Sequence, residues 1–225
     1  MSVKPILFNT AMVQAILGGR KTVTRRVLAE KVLLNKKWGL DREPYLHNGK
    51  WYYDEQTAVD DSRTIELKAK CQPGDILYVR ETWHKYSKRI GKGESCHLAE
   101  FYGYKASVKN SEDSNTPWKP SIHMPKEAAR IWLKVTNVRV ERLQNITEEQ
   151  AKAEGISEEC ATAWWKPTYN DPDSGGYPEY RKTFAWDLWN STVKKADIDR
   201  YGWKANPWVW VIEFERCEKP QEDNK

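Results

Sequence analysis

The 225-residue chain has no run of about 18 apolar residues, the length a membrane-spanning helix needs. Its opening residues show no signal-peptide pattern, so a cytoplasmic protein with no membrane partner is expected. Cysteine is sparse. Cys71, Cys96, Cys160 and Cys217 include no CxxC pair, and His47, His84, His97 and His123 are equally dispersed. Cys96 and His97 are adjacent, but no second pair stands nearby at zinc-site spacing, so reduced thiols and no metal are expected. No repeat period and no Gly/Ser linker divides the chain, which leaves one domain as the simplest organisation.

Charge and rings are abundant. Charged residues make up 31% and mean hydropathy is -0.84, yet the chain holds 12 Trp, 11 Tyr and 4 Phe, too many aromatics for a disordered protein. The net charge of +5 tolerates a nucleic-acid partner without demanding one. Basic residues cluster at Arg20, Lys21, Arg25 and Arg26, and again at Lys85, Lys88, Arg89 and Lys92.

Residues 4–8 read as a short strand. Asn9 or Thr10 can cap a helix over 11–17, with Met12, Val13, Ile16 and Leu17 on one stripe and Gly18-Gly19 as its stop. Residues 21–27 read as a strand leaving that turn. Asn48-Gly49 between 45–47 and 51–53 predicts a type I′ hairpin. Residues 64–69 suit another strand, Pro73-Gly74-Asp75 a turn, and 76–79 an apolar strand. Residues 85–115 read as a polar surface excursion. Alternation is clearest over 131–143. Thr147 and Gln150 form a capping box for a short helix over 148–154, stopped by Gly155. Residues 160–176 read as loop, 180–189 as an amphipathic helix with Tyr180, Phe184 and Leu188 aligned, and 207–216 as an aromatic strand. A polar tail occupies 218–225. Short strands with single helices between them point to an α+β domain around a strongly curved sheet or small mixed β-barrel.

Three features carry candidate chemistry. Lys21 stands three positions before Thr24 at a glycine turn, so amine and hydroxyl can meet if Lys21 lies on the turn; within a regular strand they would face opposite sides. Glu154 ends its helix, where the negative end of the dipole favours a protonated carboxyl group suited to acid–base work. Arg80 and Glu81 leave an apolar strand together, so at least one turns inward or into a cleft, beside Trp83 as a stacking face. Trp118, Ser121 and His123 lie on a proline-bounded loop that can wall a pocket.

The order Gly-Arg-Lys-Thr-x-Thr, Pro-Gly-Asp-x-Leu-x-Val-Arg, Val-x-x-Val-x-Val with a Thr-x-x-x-Ala helix, and a terminal Trp-Val-Ile-Glu-Phe strand resembles ASCH-domain proteins across residues 4–216. Arg-Glu-Thr-Trp and Trp-x-Pro-Ser-Ile-His-Met-Pro are similar to the long phage- and prophage-associated form. The resemblance implies a barrel related to PUA domains, which are RNA-binding modules. Small bacterial ASCH proteins that hydrolyse N4-acetylcytidine use a lysine, a threonine and a glutamate, and these positions match Lys21, Thr24 and Glu154. The chain is considerably longer than those enzymes, with extra segments at 28–69, 85–115 and 157–202 within a domain spanning 1–217.

The resemblance therefore implies an amidohydrolase acting on an N4-acylated or otherwise modified pyrimidine nucleoside, with no cofactor, working as a monomer. Thr24 would be the nucleophile and Lys21 its base, with a pKa lowered by burial near Arg20 and Arg25. Glu154 would serve the leaving amine, and Arg80 or a backbone N–H would hold the oxyanion. Trp83 or Trp118 would stack on the base, with Arg26, Glu81, Ser121 and His123 as further substrate contacts. Two other readings stand beside it: a module that binds RNA or a modified nucleobase without chemistry, and a single-strand RNA nuclease, for which no carboxylate cluster argues.

Overall fold

A computed structural model describes residues 2–28, 43–58, 61–92, 95–107, 117–163 and 178–221. These form a mixed α+β protein with ten strands: β1 (Val3–Leu7), β2 (Val23–Val27), β3 (Tyr45–His47), β4 (Lys50–Ala58), β5 (Asp61–Leu67), β6 (Ile76–Arg80), β7 (Trp83–Ile90), β8 (His97–Tyr104), β9 (Trp132–Arg142) and β10 (Trp208–Cys217). The helices that matter below are α1 (Thr10–Leu17), α2 (Glu148–Ala153) and α3 (Glu158–Thr162). Among the described residues no helix is long and apolar enough to cross a membrane.

Two compact units divide the chain: Met1–Gly19 with Gly74–Val135 and Phe214–Lys225, and Arg20–Pro73 with Thr136–Glu213. In the first, β1 pairs parallel with β6 from Val3↔Ile76 to Leu7↔Arg80, and β6 pairs antiparallel with β9. Asp75, buried at the mouth of β6, accepts from the Ser2 backbone and hydroxyl and from Lys4, which fixes the start of β1 against the expected turn. Asn9 caps α1 by accepting from the Met12 N–H, and Val13 and Ile16 are buried as the stripe predicts. Gly19 takes φ +73°, the left-handed conformation that favours glycine, and delivers the chain to Lys21. The core of this unit gathers Ile76, Trp83, Met124, Ala128, Ala129 and Trp132.

The polar excursion expected over 85–115 is corrected in part: β7 and β8 form an antiparallel hairpin from Trp83↔Tyr104 to Ile90↔His97. Its strands mix rings, charges and small residues with no clean apolar alternation, so an apolar pattern search passes over it. Residues 108–116 of that excursion lie outside the described residues.

In the second unit β10 lies between β9 and β2, with β2 at the end of the strand order. The Asn48-Gly49 turn joins β3 and β4 with φ +48° and +73°, as a type I′ hairpin requires, and β5 completes a three-stranded sheet. The Thr147–Gln150 capping box is present and heads α2. Cys160 sits in α3, capped by Ser157, and not in the expected loop; 164–177 lie outside the described residues. The predicted helix over 180–189 is helical but widens to π geometry over Phe184–Trp189. Phe184, Ala185 and Trp189 are buried on one side of that segment, within a narrower arc than a 3.6-residue period would give. Phe184 and Trp189 join Val23, Leu143, Ile146, Tyr180, Val209 and Val211 in the core.

Candidate functional site

β2 has β10 along one edge, from Val209↔Val27 to Glu213↔Val23. The end of α2 meets the chain just before β2: Thr22 N–H donates to the Ala153 carbonyl at 2.9 Å, and Lys21 and Glu154 form an isolated bridge. Lys21 thus sits outside the regular strand, where the chemistry required it. Two locally encoded devices bring these residues together: the glycine turn that aims Lys21 and the capping box that starts α2 so that Glu154 closes it.

The Lys21 ammonium donates to Glu154 Oε2 at 2.6 Å, to the Glu154 carbonyl at 2.8 Å and to the Val23 carbonyl at 2.9 Å. Arg25 takes the other carboxylate oxygen, Oε1, at 3.2 Å and donates to Gln150 Oε1 at 2.8 Å. Gln150 is therefore both the capping residue of α2 and an acceptor for Arg25, one turn before Glu154. This group is sealed: Lys21 is 2% exposed, Thr24 1%, Arg25 2% and Glu154 3%.

Burial pushes the Lys21 pKa below its usual 10.5; the Glu154 charge and hydrogen bond oppose that shift, while Arg26 and Arg25 add to it. Arg20, expected to contribute, is exposed. Burial likewise lowers the Arg26 pKa against the pull of Glu154 and Cys71. Arg25 also lies 3.7 Å from Glu141, which Arg139 engages together with Glu213. Among the described residues, four cations (Lys21, Arg25, Arg26 and Arg139) face three carboxylates (Glu154, Glu141 and Glu213) here. Arg25 Nε has no hydrogen-bond partner among the described residues, and its guanidinium lies 5.8 Å from the Phe184 ring centre.

Strand alternation sends Val23 and Arg25 to one face of β2 and Thr24 and Arg26 to the other. Both faces feel the Lys21–Glu154 pair: Arg25 binds Glu154 directly, and Arg26 interacts with it electrostatically. A cleft of about 400 Å³ opens beside β2, lined by Arg25, Arg26 and Val27 and, across from them, by Trp189, Lys194 and Tyr201 among others. Lys21, Thr24 and Glu154 are not among its lining residues; Arg25 is both a wall of the cleft and a partner of Glu154.

The other candidates belong to the first unit. Arg80 does not pair with Glu81. It donates through Nε to the Met124 carbonyl at 2.8 Å and through Nη2 to the Ile122 carbonyl, holding the Ser121–His123 turn. Glu81, 1% exposed, is gripped by Arg130 through two parallel bonds of 2.9 and 3.0 Å. Trp83 is buried, with the Lys119 ammonium 5.2 Å from its ring centre, and Trp118 stacks on His84 at 4.4 Å. Ser121 is half-buried and His123 exposed. Sequence reasoning missed Gln150, Glu141, His84 and Arg130. Only Gln150 left a signal, its i, i+4 spacing from Glu154 on one helix face. Among the described residues no group of three or more His, Cys, Asp or Glu side chains can hold a metal ion. Comparison of the chain with protein-family models, curated proteins and solved structures finds no match.

Proposed function

We propose that the second unit hydrolyses the exocyclic amide of an N4-acylated or similarly modified pyrimidine nucleoside. The observation that carries this is the 2.6 Å contact between Lys21 and Glu154 in a sealed site where burial drives the lysine toward its neutral amine. A buried ion pair is a poor source of stability, so its presence favours a chemical role.

The proton on Lys21 shifts along this contact to Glu154, leaving a neutral amine. That amine takes the Thr24 hydroxyl proton as Oγ attacks the acyl carbon. Collapse of the tetrahedral intermediate breaks the C–N bond, and Glu154 returns its proton to the departing N4 amine. Lys21 then passes its proton back to Glu154 and takes one from water as the water attacks the threonyl ester; collapse breaks the ester C–O bond, Glu154 protonates the departing Thr24 oxygen, and the acid is freed. Arg25 and Arg26 keep surplus positive charge near the developing oxyanion. The strands carrying these groups would curve into a small PUA-like barrel, with the nucleoside entering past Arg25.

A second reading is a binding module for RNA or a modified nucleobase. It is favoured by the engagement of all three ammonium protons of Lys21 and by the separation of the trio from the cleft lining. Assay of N4-acetylcytidine and related N4-acyl nucleosides separates the two. Wild-type protein should release cytidine, and Lys21→Ala and Thr24→Ala should each lose roughly 10²–10⁴-fold in rate. Equal turnover by wild type and both variants discards the catalytic assignment; ligand binding without turnover selects the module.

A further inference from the structure

The β7–β8 hairpin concentrates both charge and rings. Residues 83–105 hold Lys85, Lys88, Arg89, Lys92 and Lys105 against Glu94 and Glu100, so more than half of the chain's net charge of +5 lies in this short stretch. All five cations are exposed, and Lys85 meets Glu100 at 2.7 Å.

The register places His84, Tyr86 and Lys88 on one face, opposite Gly103, Phe101 and Ala99. Here the rings form a ladder. Trp118 stacks on His84 at 4.4 Å, His84 lies 5.4 Å from Tyr86, and Tyr86 stacks on Phe101 at 5.8 Å. Gly103 makes the ladder possible: a Cβ there would fall 2.0 Å from His84 Nε2, so only glycine lets the imidazole lie across the neighbouring strand. Trp118, Tyr86 and Phe101 keep part of their surface in solvent, beside a sheet that has two strands among the described residues. A ring row that served only as core would be closed over by another layer.

We propose that this face binds single-stranded nucleic acid, with bases stacking on Tyr86, Phe101 and Trp118 and phosphates neutralised by Lys88 and by Lys92 just beyond the strand. Unpaired bases offer their flat faces to aromatic side chains in any sequence, and the cations along the rim match the backbone charge. A duplex hides those faces. The inference rests on no part of the hydrolytic reading, and its test reads binding without turnover.

The test is fluorescence anisotropy of the full chain with labelled oligothymidylate, oligouridylate and a duplex of equal length across a salt series. Both single strands should bind more tightly than the duplex. Tyr86→Leu and Phe101→Leu should each weaken binding about tenfold. Lys88→Gln with Lys92→Gln, which leaves the rings in place, should flatten the salt dependence by about 0.7 per cation removed. Thermal unfolding of each variant confirms that it is folded. Duplex bound as tightly as single strands, or folded leucine variants that bind like wild type, would overturn the proposal; so would a salt slope unchanged in the double glutamine variant.

Discussion

Each unit buries a glutamate against an arginine, and the two pairs behave differently. Glu81 in the first unit meets one guanidinium through two parallel bonds, and Arg130 retains 26% side-chain exposure. Charge is matched, and the arginine can turn to water. Glu154 in the second unit meets Lys21 and Arg25, both with side chains 0% exposed, with Arg26 close enough to shift electrostatically. Among the described residues cations outnumber carboxylates there, and one of the cations is a lysine whose pKa burial lowers. The first arrangement is a strut. The second includes a lysine, a side chain that can lose a proton where arginine cannot.

The comparison breaks most visibly by removing each carboxylate. Glu154→Ala leaves two sealed cations without their partner and should cost about 3–5 kcal/mol in urea unfolding. Glu81→Ala should cost less, about 1–3 kcal/mol, since Arg130 can rehydrate. Equal losses would erase the distinction. A pH series sharpens it. Because folding lowers the Lys21 pKa, the unfolded chain holds more protons between the lowered value and 10.5, so stability rises with pH across that window. The stability of wild type relative to Lys21→Met should therefore improve from neutral pH toward 10.5, and a constant gap would contradict the assignment. Smallest is Thr147→Ala, which removes the capping box that starts α2; a loss of about 1 kcal/mol is expected, with a larger proportional loss of turnover because Glu154 and Gln150 ride on that helix.

Much of the second unit's site was legible in the sequence because its parts are encoded locally. A glycine turn places Lys21, and a capping box followed by glycine places Glu154 at a helix end. What joins them is tertiary; the chemistry of an amine and an acid flagged both, and the resemblance in motif order selected them. Arg25 was expected to touch substrate, and the structure gives it Glu154 and Gln150 to hold. In the first unit, adjacency suggested that Arg80 and Glu81 act together. Consecutive residues on an extended chain point apart, so each found a partner more than forty positions away. The β7–β8 hairpin escaped notice because its strands carry rings and charges with no clean apolar alternation, and the π-helical turn at Phe184–Trp189 because it departs from the regular helical period.

The central claim is that Lys21 holds a mobile proton beside Glu154. Heteronuclear NMR of the lysine side chains, with Lys21 assigned by comparison with Lys21→Met, measures this without any substrate. The account predicts a Lys21 resonance that titrates below 10.5 and shifts in Glu154→Gln. A resonance that titrates at or above 10.5, unmoved by that substitution, would contradict it.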